Sequence, residues 1–335
     1  MSVLSPAGWL YGQVINLRNS LYDRDIFTSH PLGARTISIG NITAGGTGKT
    51  PLVAYTAGLL AENGEKVCIL TRGYGREDSS KRVLVSDLER VLTDARTGGD
   101  EPVELATRLL RNAVVVADAD RVTAAAWAKD KFGITAFVLD DAFQHRRAKR
   151  DLDIVCIDAM NPFGNGEVLP GGILREPLKN LARADVIVIT RCNLVHDLPA
   201  LRKQVAECAG DAKIFESSNT ISGLREISEF GEGAPTGKKA LAFCAIGNPS
   251  NFFKQLSLDG FEMVSKKPFP DHHYYSQEEI RKLEKRARNA QAEILLTTAK
   301  DAVKLAGLEF EMPCYAVESE MSFAEADAFR ELISS

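Results

Sequence analysis

Residues 37–50 read Ile-Ser-Ile-Gly-Asn-Ile-Thr-Ala-Gly-Gly-Thr-Gly-Lys-Thr: a β-branched run that enters glycines and ends in Gly48-Lys49-Thr50. A helix-forming stretch, 51–63, follows at once. Strand, glycine loop and helix in this order make a phosphate-binding loop. Glycines let backbone N–H groups close around an anion, and the helix N-terminus adds a positive dipole end. Lys49 is placed for β- and γ-phosphates, and the Thr50 hydroxyl for Mg²⁺. The chain therefore handles a nucleoside triphosphate, and the open question is where the γ-phosphate goes.

The strict motif asks for glycine at position 43, where Thr43 stands. The cradle reads better from Thr43 through Ala44, Gly45, Gly46, Thr47 and Gly48 to Lys49 and Thr50, with Gly45 and Gly46 making the tight turn. In one group of P-loop ATPases a signature lysine precedes the glycine pair; here Ala44 takes that place.

The 335 residues suffice for two domains or one large one. A net charge of −4 supplies no basic field for nucleic acid. Six scattered cysteines lack a Cys-x-x-Cys pair, and Cys68, Cys156 and Cys244 lie in apolar runs, so they read as small buried hydrophobes in a reducing compartment. No run approaches the ~18 apolar residues of a membrane span, and no secretory signal is visible. Residues 3–22 place Leu10, Val14, Leu17 and Leu21 at helical spacing beside Trp9, Tyr11, Ile15 and Tyr22. Such a helix either lies on a bilayer or packs on its own core, and periodicity serves both readings.

Continuous apolar runs at 36–42, 66–71, 113–117, 136–140, 153–157 and 186–190 suit strands buried on both faces of a parallel sheet. Helical stretches lie between several of them, which predicts a P-loop NTPase-type α/β/α sandwich. Turn-forming residues 231–237 mark a boundary. Beyond it the pattern restarts with strands at 240–246 and 293–298, a capping box at 276–279 and another at 322–325. The division expected is an amphipathic helix over 1–28, a nucleotide-binding domain over 29–230 and a smaller α/β domain over 231–335.

The run 137–141 is an apolar strand that ends in Asp140 and Asp141, where P-loop enzymes hold Mg²⁺. Gln144 and His145 follow; loop contacts and a site role are equally open to them. Asp100, followed two positions later by Pro102, fits a helix N-cap. A carboxylate at a loop tip also fits a proton acceptor for a hydroxyl. Asp271-His272-His273 lacks metal-ligand spacing to other histidines, but an Asp-His pair can tune a base. The Gly-punctuated loops carrying Arg72, Tyr74 and Arg76, and carrying Arg175 and Glu176, suit either an anionic substrate or a surface turn. Thr190-Arg191-Cys192-Asn193 lacks the Lys and Asp of a guanine reader, whereas Thr298-Ala-Lys300-Asp301 fits that string in the wrong part of the chain, so ATP is favoured.

The ordered set resembles the tetraacyldisaccharide 4′-kinase family over nearly the whole chain. The matching pieces are the N-terminal helix, Gly40-Asn41 through Pro51, residues 71–75, 99–102, 140–145, 169–177, 271–273 and 300–304. Gly172-Ile173 and Ala299 depart from it. The resemblance implies that ATP, with Mg²⁺, phosphorylates the 4′-hydroxyl of tetraacyldisaccharide 1-phosphate to give lipid IVA. It implies a peripheral enzyme on the cytoplasmic face of the bacterial inner membrane with no obligate protein partner. Asp100 becomes the base, with His272 and Asp271 beside it and Lys49 on the phosphates. Glu101 joins Thr50, Asp140 and Asp141 at the metal, and Gln144 joins the nucleotide loop. Asn41, Arg72, Tyr74, Arg76, His145, Arg175 and Glu176 are implied to face the lipid substrate. A conformational-switch ATPase and a soluble small-molecule kinase are the competing readings.

Overall fold

The structure, a computed structural model, describes residues 5–228 and 239–335. The turn expected at 231–237 and the first residues of the N-terminal segment lie outside the described residues. Helix α1 (Ser5–Asp23) precedes β1 (Arg35–Asn41), whose loop feeds α2 (Lys49–Glu62). Then come β2 (Val67–Thr71), β3 (Val83–Ser86), α3 (Ala95–Gly98) and α4 (Asp100–Arg108). Next are β4 (Ala113–Ala117), α5 (Arg121–Phe132), β5 (Ala136–Asp140), β6 (Leu152–Asp158) and β7 (Val186–Thr190). Helix α6 (Leu198–Ala209) leads to the long strand β8 (Lys213–Glu226). The second half runs β9 (Lys239–Cys244), α7 (Pro249–Leu258), β10 (Glu262–Pro268), α8 (Gln277–Asn289), β11 (Ile294–Thr298), α9 (Ala299–Ala302), β12 (Cys314–Phe323) and α10 (Ala326–Ser334).

The strands form one sheet in the order β10-β9-β11-β12-β8-β7-β6-β1-β5-β2-β4-β3. β1 lies between β5 and β6, parallel to both, with Ile39 opposite Asp140. That register puts the end of β5 one strand away from the glycine loop. Every residue of β2, β4, β5 and β7 is buried, which is why these strands read as unbroken apolar runs. Ile37, Ile39, Val138 and Val186 face α2, α4 and α10, while Phe137, Leu139 and Leu70 face α5. Around β6 and β7 the opposite face packs on Leu201 and Val205 of α6. The second half repeats the layering, with α8 on one face of β9 and β11 and α7 on the other.

β8 joins the two halves. Its first residues pair in parallel with β7, and its remainder pairs antiparallel with β12. The chain then returns: Phe323 stacks on Phe329 of α10 at 4.1 Å, and Tyr55 of α2 lies 5.1 Å from Phe323. The final residues therefore pack in the first core, although they follow the second half in sequence.

Two expectations about helix starts are corrected. Ser322 and Phe323 close β12, and α10 begins at Ala326 behind Glu325 without a side-chain cap, because burial of Phe323 against Phe329 holds that stretch extended. The cap of α4 is Gly99, and Asp100 is the first helical residue. Gly99 has φ 94°, open to glycine at little cost, which turns the chain so that Asp100 points out of the helix start. The capping box at Ser276 and Glu279 is formed. All six cysteines are free thiols, and Cys68, Cys156, Cys244 and Cys314 are buried.

Candidate active site

The glycine loop is pinned from behind. Thr190 Oγ1 donates to the Thr47 carbonyl at 2.8 Å, and Arg191 Nη1 to the Gly46 carbonyl at 2.9 Å. Asn41 Nδ2 donates to Thr47 Oγ1 at 3.0 Å. With these carbonyls held, the opposite side of the loop is left to its N–H groups. The Ala44 N–H bonds the Ile173 carbonyl at 2.7 Å, and Thr43 bridges Leu174, so the free part of the cradle starts at Gly45. Gly45 has φ 104° and Gly48 φ 83°. A Cβ added at Gly45 or Gly46 would meet nothing within 4 Å: the cradle opens on space of the kind a phosphate fills.

Lys49 Nζ rests 3.4 Å from Asp141 Oδ1. Arg175 Nη1 donates to both Asp141 oxygens at 2.9 Å. Burial alone would raise the Asp141 pKa, but Lys49 and Arg175 outweigh it and hold the carboxyl below its ordinary value. Asp140 differs. Its Oδ2 accepts from Thr71 Oγ1 at 3.1 Å, while burial and the neighbouring Glu101 and Asp141 push its pKa up to about 7. Lys49 and the Thr71 hydrogen bond offset this only in part.

The donor set fits Mg²⁺. Among the described residues no group of three or more His, Cys, Asp or Glu could hold a metal by itself. A nucleotide-bound Mg²⁺ needs only one or two carboxylates, with water and phosphate oxygens completing its octahedron. Asp140, Asp141, Glu101 and the Thr50 hydroxyl are the candidate oxygens; Asp141 is held by Lys49 and Arg175, and Glu101 by Lys300 at 2.9 Å.

The second half brings the other group of residues. His272 Nδ1 lies 2.9 Å from Asp100 Oδ2 and 3.0 Å from Oδ1. His272 adopts φ 59°, a left-handed conformation that histidine enters more often than most side chains. Tyr274 OH donates to the Ala95 carbonyl, and Arg96 lies over the Tyr274 ring, so the histidine loop is tied to α3. The exposed Tyr74 ring lies 5.2 Å from His272. Burial would raise the Asp100 pKa, yet the His272 hydrogen bond, Lys300 and Lys304 together hold it below the ordinary carboxylate value. The same hydrogen bond raises the pKa of His272.

Gly247 joins the two groups. A Cβ there would stand 3.2 Å from Asp271 Oδ2 and 3.4 Å from the Gly46 nitrogen. Asp271 thus lies across Gly247 from the phosphate loop, and its Oδ2 is 3.7 Å from His272 Nε2.

Other residues singled out in the sequence face inward. Arg76 is buried and donates to the carbonyls of Ala117 and Ser79. Gln144 Nε2 donates to the Asn41 carbonyl and to Glu176 Oε1. Glu176 is buried and also accepts from Asn19, Asn180 and Arg183. These two residues link the glycine-loop strand to α1. His145 is half-buried with Nε2 unpartnered, and burial pushes its pKa down to about 4. Arg72 is exposed.

Several residues here carried no role in the sequence reading. Lys300 lies 2.9 Å from Glu101, 3.4 Å from Asp271 and 3.8 Å from Asp100. Lys304 lies 3.6 Å from Asp100 and 2.9 Å from Asp301. Their four-residue spacing, from α9 into the turn that follows it, was the available signal. Asp301, which fits a guanine-reading string, is fully buried and bonded to Thr298, Ala245 N and Tyr275, so it is closed to a base. Arg191 also holds Asp158 at 2.6 Å, and Asn251 of α7 donates to the same carboxylate at 3.1 Å.

A phosphate-binding loop at the end of β1, faced by a buried carboxylate that is hydrogen-bonded to a half-buried imidazole from the other half, is the arrangement of a P-loop kinase. All of residues 1–335 match the family model for tetraacyldisaccharide-1-P 4′-kinase, and the chain belongs to this family. It is 39% identical over 330 residues to the tetraacyldisaccharide 4′-kinase of Geobacter metallireducens, covering 97% of this chain and 95% of that one. With the enzyme of Halothermothrix orenii it shares 37% over 317 residues, 90% of this chain and 82% of the other. The crystal structure of the "apo" form of LpxK from Aquifex aeolicus in complex with ATP superposes with a TM-score of 0.77 at 31% identity, over 98% of this chain and 97% of that one.

Proposed function

We propose that this chain transfers the γ-phosphoryl group of ATP to the 4′-hydroxyl of a tetraacyldisaccharide 1-phosphate, with Asp100 as the base. The observation that carries the assignment of roles is the Asp100–His272 hydrogen bond, formed between the two halves beside the phosphate loop. Asp100 accepts the hydroxyl proton while the sugar oxygen bonds to the γ-phosphorus and the bond to the bridging β-phosphate oxygen breaks, leaving ADP. His272 orients Asp100 and, as a cation, stabilises its negative form. Lys49 exchanges Asp141 for the phosphates. Mg²⁺, when bound, neutralises charge on the transferred group, and Asp140, Thr50 and Glu101 are the side chains to hold it. Arg175, Arg72 and Tyr74 line the mouth for the anionic sugar. A cavity of about 180 Å³, lined among others by Pro51, Arg191, Asn248, Phe252 and Gln255, offers an aromatic ring and amides to the base.

The acyl chains of the acceptor require an enzyme seated on a bilayer, and α1 has the matching face. Its inward side carries Gly8, where a Cβ would stand 2.7 Å from the Val168 carbonyl, and Asn19, bonded to Glu176. Its outward side exposes Trp9 (66%), Leu10, Val14 and Leu17 (63%), continued by Ile26 and Phe27. An outward apolar stripe on a helix anchored by its polar face supports peripheral docking on the cytoplasmic leaflet. Among the described residues no helix is long and apolar enough to cross a membrane.

The test is γ-³²P transfer from ATP to tetraacyldisaccharide 1-phosphate in mixed micelles, wild type beside Asp100→Asn. Labelled lipid from the wild type, with near-absence from the variant, is expected. ATP hydrolysis in both without labelled lipid would overturn the kinase reading.

A further inference from the structure

Lys300 is the second residue of α9, a turn of helix in the second half whose start is fixed by Thr298 bonding Asp301. Its ammonium reaches across to α4. It lies 2.9 Å from Glu101 Oε1, 3.4 Å from Asp271 Oδ1 and 3.8 Å from Asp100 Oδ2. Three carboxylates from both halves thus share one cation, on a side chain only 12% exposed. Burial acts against the charge, but Glu101, Asp100 and Asp271 outweigh it and raise the Lys300 pKa. Glu101 thus gives its carboxylate to a cation from the other half, while its own helix, α4, belongs to the half that carries the phosphate loop.

We propose that Lys300 is a positioning residue that holds Glu101 as an internal counter-ion and yields it to a divalent cation when the metal–nucleotide complex enters. The proposal rests on the reading of Glu101 as a metal-facing oxygen donor. An ammonium 2.9 Å from Glu101 Oε1 repels a divalent ion brought to either oxygen of that carboxylate and draws on the same negative charge, so the two cations compete. Lysine suits the exchange: its ammonium is a compact charge on a flexible stem, free to shift onto Asp271 and Asp100. Asp100 does not depend on Lys300 alone, because His272 and Lys304 also face it. The exchange would couple metal arrival to the contact between the halves, since Asp271 and Lys300 belong to one half and Glu101 to the other.

Competition makes a prediction of definite sign. Removing the ammonium should strengthen binding of a divalent ion to the nucleotide-free protein, whereas a scaffold ion pair should leave it unchanged. The experiment titrates Mn²⁺ alone into the full chain and reads free Mn²⁺ by electron paramagnetic resonance. Wild type is compared with Lys300→Met, Lys300→Arg and Glu101→Gln, each held below its own unfolding midpoint. The expected results are Mn²⁺ binding at least ~10-fold tighter in Lys300→Met, close to wild type in Lys300→Arg, and at least ~10-fold weaker in Glu101→Gln. Weaker binding in Glu101→Gln with no tightening in Lys300→Met would overturn the role of Lys300 while leaving Glu101 at the metal. No change in either variant would overturn the metal reading of Glu101 and the proposal with it.

Discussion

His272 Nδ1 lies 2.9 Å from Asp100 Oδ2, and the two residues are 172 positions apart. Because each comes from a different half, the pair exists only when the halves meet. Replacing Asp100 with Asn keeps the shape and removes the proton acceptor. Asp100→Asn should lower kcat by at least ~10²-fold, the usual scale for a lost general base, with ATP affinity near the wild-type value. His272→Gln should cost less, about 10-fold to 10²-fold, because Asp100 keeps Lys300 and Lys304. The double variant should fall little below Asp100→Asn, since partners acting as a unit are not additive. Steady-state kinetics with a parallel ATP-binding titration checks this. Equal loss of ATP binding in Asp100→Asn would make the residue structural.

Lys304 places a fully buried ammonium between Asp301 and Asp100. Asp301 is itself fully buried and fixes Ala245 N and the start of α9. Lys304→Met removes the charge but keeps the apolar stem, leaving Asp301 without its cation. A destabilisation of about 3–5 kcal/mol is expected, the range for breaking a buried pair on one side. Urea unfolding measures it. The exposed pair Lys282–Glu278 on α8 is the control, and Lys282→Met should leave the midpoint in place.

The central strands were legible because burial on both faces demands unbroken apolar runs, as in residues 113–117 and 186–190. β8 and β12 were not. They form an antiparallel ribbon between the halves, with Ser217, Ser218, Asn219 and Thr220 in β8 and Glu318, Ser319 and Glu320 in β12, so beyond the short apolar start of β12 at 314–317 polar residues interrupt the pattern. The glycine loop and Asp140 were visible because their chemistry is local in sequence. The partner of Asp100 carried no local signal, and only the order of motifs along the chain pointed to it. The stripe of α1 was visible, but periodicity says nothing about which side it faces. The answer lies in Gly8 and Gly12, whose missing side chains let the polar side approach residues 168–177.

That outward stripe can be tested without touching the active site. Leu10→Ser, Val14→Ser and Leu17→Ser combined alter three side chains that are largely exposed. Exposed positions contribute little to folding, so the unfolding midpoint should stay close to wild type. Binding to phospholipid vesicles should drop at least ~10-fold, because each buried methylene contributes about 0.8 kcal/mol to insertion. Turnover of a short-chain, water-soluble acceptor should be unchanged. Vesicle co-sedimentation and the two kinetic assays check it; undiminished vesicle binding would place the membrane contact elsewhere.

His145 supplies a pH signature. Its imidazole sits half-buried after β5, with Nε2 unpartnered, facing Arg121, Arg150, Arg147 and Asp120. Burial comes first, then Arg121 and Arg150, in pushing its folded pKa down to about 4. In an unfolded chain the value returns to ~6.5. Between these two values the unfolded chain holds the proton that the folded protein refuses, so unfolding takes up a proton as pH falls. Stability should therefore rise with pH across this window and level off above it. The gap corresponds to at most about 3.4 kcal/mol, and solvent reaching part of the ring brings it nearer ~2 kcal/mol. His145→Gln removes the titration and should flatten this part of the curve, so that the variant gains relative to wild type at the acid end. Urea unfolding of both proteins at several pH values between about 4.5 and 7.5 measures the difference. Parallel curves would mean that the ring takes up its proton in the folded protein as readily as in the unfolded chain.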